Sequence, residues 1–210
     1  MKIGIYVDAS NVSMSGGYSM RYDVLKEYCL KGQEPTRLNT YLAYDVERAR
    51  EDYAYRDKQQ NYFSILRSFG YKIIIKPLKR YYGENGDEFT KANVDLDMAT
   101  DMLIQAKHLD KVYLLTGDGD FTKVVRALQD FGVRVELIAF KNISRDLTHE
   151  CDAFTSGYII PNLLPVEGQH FDDWGLLGTR VRGVCYEIQY KHSFGFFRYL
   201  DKDQNPKPAF

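Results

Sequence analysis

The sequence predicts an α/β protein, a three-layer domain with a mostly parallel central sheet, followed by a small C-terminal β segment. Three observations carry this expectation. Short aliphatic and β-branched runs alternate with longer stretches of helical period. Most of those runs end in a turn bearing Gly or Asp. The alternation then stops near Pro161, beyond which a β-rich pattern takes over.

Taken in order, Ile3–Val7 reads as a first strand that ends at Asp8. Past the Gly16-Gly17 turn, Tyr22–Lys31 reads as a helix, and Leu38–Tyr44 alternates like a second strand. Val46–Phe69 reads as one long polar helix, with Gly70 as its stop. Tyr71–Pro77 is a third strand, and the run Ile73-Ile74-Ile75 suggests burial on both faces. Tyr81–Thr90, with Gly83, Asn85, Gly86 and Asp87, reads as an exposed loop. Val94–Lys107 is helical, Val112–Leu115 is a fourth strand, and the turn Thr116-Gly117-Asp118-Gly119-Asp120 opens a helix that ends near Gly132. Val133–Ile138 is a fifth strand. The expected division is a domain over 1–160, a linker over 161–178 and a small β-rich segment over 179–210, with the last ten residues frayed.

Composition narrows the class. A chain of 210 residues with 44% hydrophobic and 27% charged residues has the make-up of a folded globular protein rather than a disordered one. The longest apolar runs fall far short of the roughly 20 residues that span a bilayer, and Ile3–Val7 is too short for a signal-peptide core. Cys29, Cys151 and Cys185 are scattered and odd in number, which argues against a disulfide framework or a zinc site. The expectation is a soluble cytoplasmic protein with no membrane partner. Lys plus Arg number 28 against 29 Asp plus Glu, so a coat held on nucleic acid by bulk charge is excluded, though a local basic rim is not.

The acids carry the chemical signal. Open parallel sheets place their sites at the carboxyl ends of strands, where the strand order switches. Asp8 and Asn11 follow the first strand, and Asp118 and Asp120 follow the fourth. Asp95, Asp97 and Asp101 lie near the start of the intervening helix, where Asp97 and Asp101 share a face and Asp95 points elsewhere. Carboxylates gathered closely raise one another's pKa unless a cation neutralises them, and an oxygen-only donor set favours Mg²⁺ or Mn²⁺ over zinc. Asn11 is suited to orient a water or a phosphate oxygen. Each acid alone also reads as a turn or helix N-cap.

The segments Tyr6-Val7-Asp8-Ala9-Ser10-Asn11, Lys91-Ala92-Asn93-Val94-Asp95 with Asp101, and Leu115-Thr116-Gly117-Asp118-Gly119-Asp120-Phe121 together resemble the NYN domain of the LabA-like family, within the PIN-like nuclease superfamily. Gly70-Tyr71 before Lys76-Pro77-Leu78, and Ser144 to Leu147 followed by Asp152-Ala153-Phe154, support the likeness over about residues 1–160. The resemblance implies a metal-dependent ribonuclease fold. It matches Asp8, Asp95 and Asp118 to the core acidic positions and Asn11, Asp101 and Asp120 to accompanying ones. Thr116 stands where the family commonly has Ser or Thr, and Asp97 has no counterpart.

Substrate contacts are expected at Lys76, Lys79, Arg80, Lys91, Thr116 and Lys123 around the strand ends. In the C-terminal segment, Thr179–Leu200 resembles the opening strands of a cold-shock, OB-type domain, which implies base stacking by Phe194 and Phe196. A plain β-meander packed on the main domain, or a homodimer contact, fits the same residues. The composite expectation is a metal-dependent endoribonuclease with Mg²⁺ or Mn²⁺ at Asp8, Asp95, Asp118, Asp120 and Asp101. Its catalytic set is Asp8, Asp95, Asp118, Asn11 and Asp120, acting on single-stranded RNA, with single-stranded DNA left open. The alternative is a non-catalytic RNA-binding or regulatory module that retains the acidic pocket. A haloacid-dehalogenase-type phosphohydrolase is disfavoured, because that chemistry wants a second Asp where Ser10 stands.

Overall fold

The computed structural model describes residues 1–82 and 88–209, with the backbone alone at 82, 88–91 and 192. The chain runs β1 (Ile3–Asp8), α1 (Ala9–Val12), α2 (Tyr22–Leu30), β2 (Arg37–Tyr44), α3 (Val46–Glu51), α4 (Tyr53–Ser68) and β3 (Lys72–Pro77). A hairpin of β4 (Lys79–Tyr82) and β5 (Glu88–Lys91) leads to α5 (Val94–Gln105), β6 (Lys111–Leu115), α6 (Thr122–Asp130) and β7 (Arg134–Ala139). Then come α7 (Arg145–Glu150) and β8 (Ala153–Ser156), and finally β9 (Val184–Gln189), β10 (Phe194–Leu200) and β11 (Pro206–Ala209).

Among the described residues, six strands form the central sheet in the order β3-β2-β1-β6-β7-β8, every neighbouring pair parallel. The chain builds outward from β1 in one direction and then returns beside β1 at β6 to build the other. The switch between β1 and β6 therefore opens a crevice at their carboxyl ends. Helices cover both faces. Ile3, Ile5 and Val7 pack on one side with Tyr22, Leu25 and Leu66 of α2 and α4. Tyr6 and Leu114 pack on the other with Met98 and Met102 of α5 and Val125 of α6. The period-2 alternation of β1 thus feeds two cores, which makes the expected three layers.

Several elements differ from the sequence expectation. Val46–Phe69 is two helices, broken at Asp52, whose carboxylate caps α4 by accepting from the Tyr55 N–H at 2.9 Å. Asp45 caps α3 in the same way from Arg48 at 3.0 Å. β3 is an edge strand, so Ile75 is 37% exposed rather than buried on both faces. Both ends of the expected loop over Tyr81–Thr90 are paired strands, and its centre, 83–87, lies outside the described residues. β8 is a sixth strand that the pattern did not announce. The expected fray over the last residues contains β11, whose two prolines stand on an edge strand, where a missing N–H is tolerated.

The first core continues to Leu163 and Leu164, and the Arg21 N–H donates to the Leu163 carbonyl at 2.9 Å. Beyond it, Trp174 is buried and donates its indole N–H to the Leu200 carbonyl at 2.9 Å. This bond ties the antiparallel sheet β11-β10-β9 to the segment before it.

Candidate active site

Two loops meet at the β1/β6 switch point. Asp8 ends β1 and caps α1, accepting from the Asn11 N–H through Oδ1 at 3.0 Å. Its Oδ2 accepts from the Thr116 hydroxyl at 3.1 Å. Thr116 Oγ1 in turn accepts from the Asp118 N–H at 3.2 Å, and Asn11 Oδ1 accepts from the Gly117 N–H at 2.8 Å. The Asp118 carboxylate closes the next turn, accepting from the Asp120 N–H at 3.0 Å. Asp8, Asn11, Thr116 and Asp118 thus form one hydrogen-bonded network. The N-cap reading of Asp8 and Asp118 is correct as far as it goes. Capping by Asp118 uses only Oδ1, and the network leaves Oδ2 for another partner.

The glycines of the Thr116–Asp120 turn are dictated by a neighbour. A Cβ on Gly117 would stand 2.9 Å from the Asn142 carbonyl oxygen, and one on Gly119 would stand 2.8 Å from Ser144 Oγ. The Ser144 N–H donates to the Gly117 carbonyl at 2.9 Å, so the turn is clamped against the loop that precedes α7.

Electrostatics single out Asp8. It is 4% exposed, and its pKa is pushed up to about 6, first by burial and further by the charges of Asp95 and Asp118. The bonds from Asn11 and Thr116 pull the other way. Asp95, on the first turn of α5, is also raised, by burial and then by Asp118 and Asp120. These four carboxylates therefore feel one another, and among the described residues none has a Lys, Arg or His ion-pair partner.

The other predicted acids and bases are engaged elsewhere. Helix α5 is pinned across the sheet at steps of four residues. Lys76 on β3 donates to both Asp97 oxygens at 2.8 and 2.7 Å, the Tyr41 hydroxyl on β2 donates to Asp101 at 2.7 Å, and the Tyr6 hydroxyl on β1 donates to Gln105 at 2.7 Å. Asp101 is thereby bound to Tyr41. At six residues beyond Asp95 it is about 9 Å further along the helix. Lys76 spends its charge on Asp97, and Arg80 pairs with Asp45 at 3.1 Å and Glu47 at 2.6 Å. Thr116 is fully buried, so its hydroxyl serves the network and presents no surface to a substrate. Lys79 and Lys123 are exposed, and the Lys91 side chain lies outside the described residues. Phe194 and Phe196 stack edge to face at 5.4 Å on β10, and Phe196 tilts against Tyr186 at 6.1 Å. The β10 strand packs on the turn Gly157–Ile159, beyond the carboxyl end of β8 and hence at the same end of the sheet as Asp8.

Sequence reasoning missed the far wall of the site. An open groove of about 870 Å³ runs from Asp120 between α6 and α7, past Lys123, Arg126, Arg145 and His149. No local spacing links Arg145 or His149 to the acids. Ties distant in sequence bring α7 to that side: the clamp of Ser144 on Gly117, and the bonds of Arg126 and Gln129 on α6 to Glu150.

As to metal, the donors at the switch point are hard oxygens that lack a compensating cation, and this chemistry suits Mg²⁺ or Mn²⁺. Among the described residues, no group of three His, Cys, Asp or Glu side chains stands close enough together to enclose an ion in this conformation. No helix among them is long and apolar enough to cross a membrane.

Comparison with known proteins agrees with this architecture. The protein LabA (low amplitude and bright) of Synechococcus elongatus is 24% identical over 159 residues, covering 73% of this chain and 82% of its own. The crystal structure of a protein of unknown function from Vibrio parahaemolyticus superposes with a TM-score of 0.59 at 23% identity, over 74% of this chain and 91% of that one, which establishes a shared fold. Residues 2–164 match the NYN domain, a span that takes in both cores, the switch-point network and α7, and the chain is accordingly a member of the NYN domain family.

Proposed function

We propose that the protein is a metal-dependent nuclease that hydrolyses phosphodiester bonds in single-stranded RNA at the carboxyl ends of β1 and β6. The observation that carries this reading is the buried Asp8 carboxylate, held in place by two hydrogen bonds and raised to about 6 beside the like charges of Asp95 and Asp118. A fold bears the cost of such an arrangement when a cation is to complete it. Family membership supports the RNA-directed, nuclease-like class.

In this reading Asp8, Asp95 and Asp118 hold Mg²⁺ or Mn²⁺, with Asp120 at the margin. Mutually repelling carboxylates stand apart until an ion joins them, which accounts for the open arrangement. The ion, when bound, supplies an activated water and stabilises charge on the phosphodiester during in-line attack. The chain's own residues do the positioning. Thr116 and the Asn11 N–H fix the Asp8 carboxylate in one orientation. The Gly117 N–H holds Asn11 Oδ1, which turns the Asn11 amide nitrogen toward an acceptor such as a phosphate oxygen. Asp101 keeps α5 in register through Tyr41, so Asp95 stays on the flank that faces Asp118. Lys79 and Lys123 offer exposed charge to the substrate backbone, and Phe194 and Phe196 offer ring faces to unpaired bases.

The test is a cleavage assay on labelled single-stranded RNA and DNA with Mg²⁺, Mn²⁺ or chelator, beside the Asp118→Asn variant. Expected are metal-dependent RNA products that vanish in the variant, whose fold is retained. Unchanged turnover in Asp118→Asn would overturn the reading. RNA binding that survives chelator, with no cleavage in any metal, would instead establish a regulatory RNA-binding module.

A further inference from the structure

The groove between α6 and α7 has a set of cations of which the proposed chemistry uses only Lys123. It begins at Asp120, shares its first residues with the acidic site, and opens to solvent along its length. Three cations line it, and they are not equivalent. Arg126 is neutralised by Glu150, with N–O separations of 2.7 Å through both Nε and Nη2. Asp146 adds its charge to the same guanidinium. Lys123, on the first turn of α6, and Arg145, the first residue of α7, form no ion pair among the described residues, and both are exposed. Glu150 and Asp146 thus offset the middle cation, Asp120 stands at the acidic end of the groove, and Lys123 and Arg145 remain without an ion-pair partner on opposite walls.

Position decides what such a pair can bind. Both walls are tied to the catalytic turn. α6 follows directly from Asp118 and Asp120, and α7 is capped by Ser144, whose N–H holds the Gly117 carbonyl. The groove opens from Asp120 at the edge of the acidic site, and an open groove admits a polymer where an enclosed cavity would select a small molecule. We propose that Lys123 and Arg145 grip successive phosphates of the nucleic-acid strand beyond the scissile bond, so that the α6/α7 groove is the exit track of the substrate. This assignment rests on the nuclease reading of the switch point and extends it to the length of strand engaged. Lysine contacts a phosphate as a point charge, and arginine as a planar fork that can take two oxygens.

The experiment measures binding without cleavage. A labelled unstructured 12-nucleotide RNA is titrated with the full chain in chelator, by fluorescence anisotropy, across a series of salt concentrations. The double substitution Lys123→Ala, Arg145→Ala is expected to weaken binding about tenfold or more. It should also flatten the slope of log affinity against log salt by about 1.4, since each single-strand phosphate contact contributes about 0.7. The double substitution Arg126→Ala, Glu150→Ala removes a neutral pair from the same groove and is expected to change affinity less than twofold. All four side chains reach the surface, and circular dichroism of each variant checks the fold.

Equal losses in the two double variants, or an unchanged salt slope in the first, would overturn the track. So would a mononucleotide that competes as well as the 12-mer, since the groove would then be a small-anion site. Metal-dependent cleavage that survives while binding ignores Lys123 and Arg145 would sink the track alone. Groove-dependent binding with no cleavage in Mg²⁺ or Mn²⁺ would sink the nuclease reading and leave the track standing.

Discussion

The Tyr41 hydroxyl donates to the Asp101 carboxylate at 2.7 Å and accepts from the Asn39 amide at 3.0 Å, which makes a phenol on β2 the hinge pin between the sheet and α5. Tyr41 and Asn39 are both almost wholly buried, so neither can exchange its partner for water. Burial first, and the bond to Asp101 next, hold the phenol protonated well above its usual range, so the donor persists at any working pH.

Tyr41→Phe removes that pin and little volume. It strands the Asn39 amide and leaves Asp101 without its donor. Stability is expected to fall by about 1–3 kcal/mol, the usual cost of unsatisfied buried polar groups. The check is urea denaturation, where the midpoint should drop with the slope unchanged. An unchanged midpoint would mean that the Lys76 and Tyr6 links hold α5 on their own.

Asp8 gives a pH prediction whose sign is fixed. Its folded pKa, about 6, exceeds the ordinary value of 3.8, so the folded state binds the proton more tightly than the unfolded state. The stability from the protonated form is full below about pH 3.8 and is lost as pH rises to about 6. The span of about 2.2 units amounts to roughly 3 kcal/mol. Asp8→Asn keeps an oxygen for the Asn11 N–H and never ionises. In chelator, the variant is expected to be the more stable protein above pH 6, with its advantage shrinking as pH falls. Comparing the two isolates Asp8 from carboxylates such as Asp23 and Glu136, whose lowered pKa values act in the opposite sense. A difference that stays constant across this range would show that Asp8 is not strained by its charge.

The layer architecture was legible because β1, β2, β6 and β7 end in turns whose residues have few other uses. The failures have separate causes. Ile73-Ile74-Ile75 presents apolar groups to both cores, but burial also depends on a neighbour on each side, and among the described residues β3 has only β2. The break at Asp52 was visible in principle, since Asp45 and Asp52 each stand three residues before the N–H they cap. The helical period on either side of Asp52 masked it. At the site, Asp8, Asn11 and Asp118 were readable as strand-end residues. Helical spacing already set Asp95 apart from Asp97 and Asp101; the partners that hold those two were not readable, because Lys76 and Tyr41 arrive from strands far away in sequence. The α7 wall escaped for the same reason.

Gly117→Ala tests the clamp on the switch-point turn. The added methyl would lie 2.9 Å from the Asn142 carbonyl and 3.4 Å from the Ile143 Cα, and both are backbone atoms that cannot swing aside. Overpacking of this kind costs about 1–3 kcal/mol. The Gly117 N–H would also shift from Asn11 Oδ1, so any cleavage activity should fall by more than the loss of stability explains. Activity and melting temperature measured together decide it. A stable variant with full activity would mean that the turn does not need its present path.

Metal affinity should carry the signature of Asp8 directly. A carboxylate that binds an ion must first lose its proton, so metal and proton compete for the same oxygens. Above pH 6 Asp8 is ionised and the apparent affinity for Mn²⁺ should be level. Below pH 6 it should fall, approaching tenfold per pH unit from Asp8 alone, and Asp95, raised by burial and by its acidic neighbours, steepens the fall. Ion binding should also raise the melting temperature, by an amount that reflects about 2.7 kcal/mol when the ion is at a hundred times its dissociation constant. Calorimetric titration of Mn²⁺ from pH 5 to 8 reads the first effect, and thermal denaturation reads the second. Asp8→Asn should bind more weakly and show no bend near pH 6. A wild-type affinity that stays flat from pH 8 to 5 would remove Asp8 from the ligand set and leave its burial as a purely structural burden.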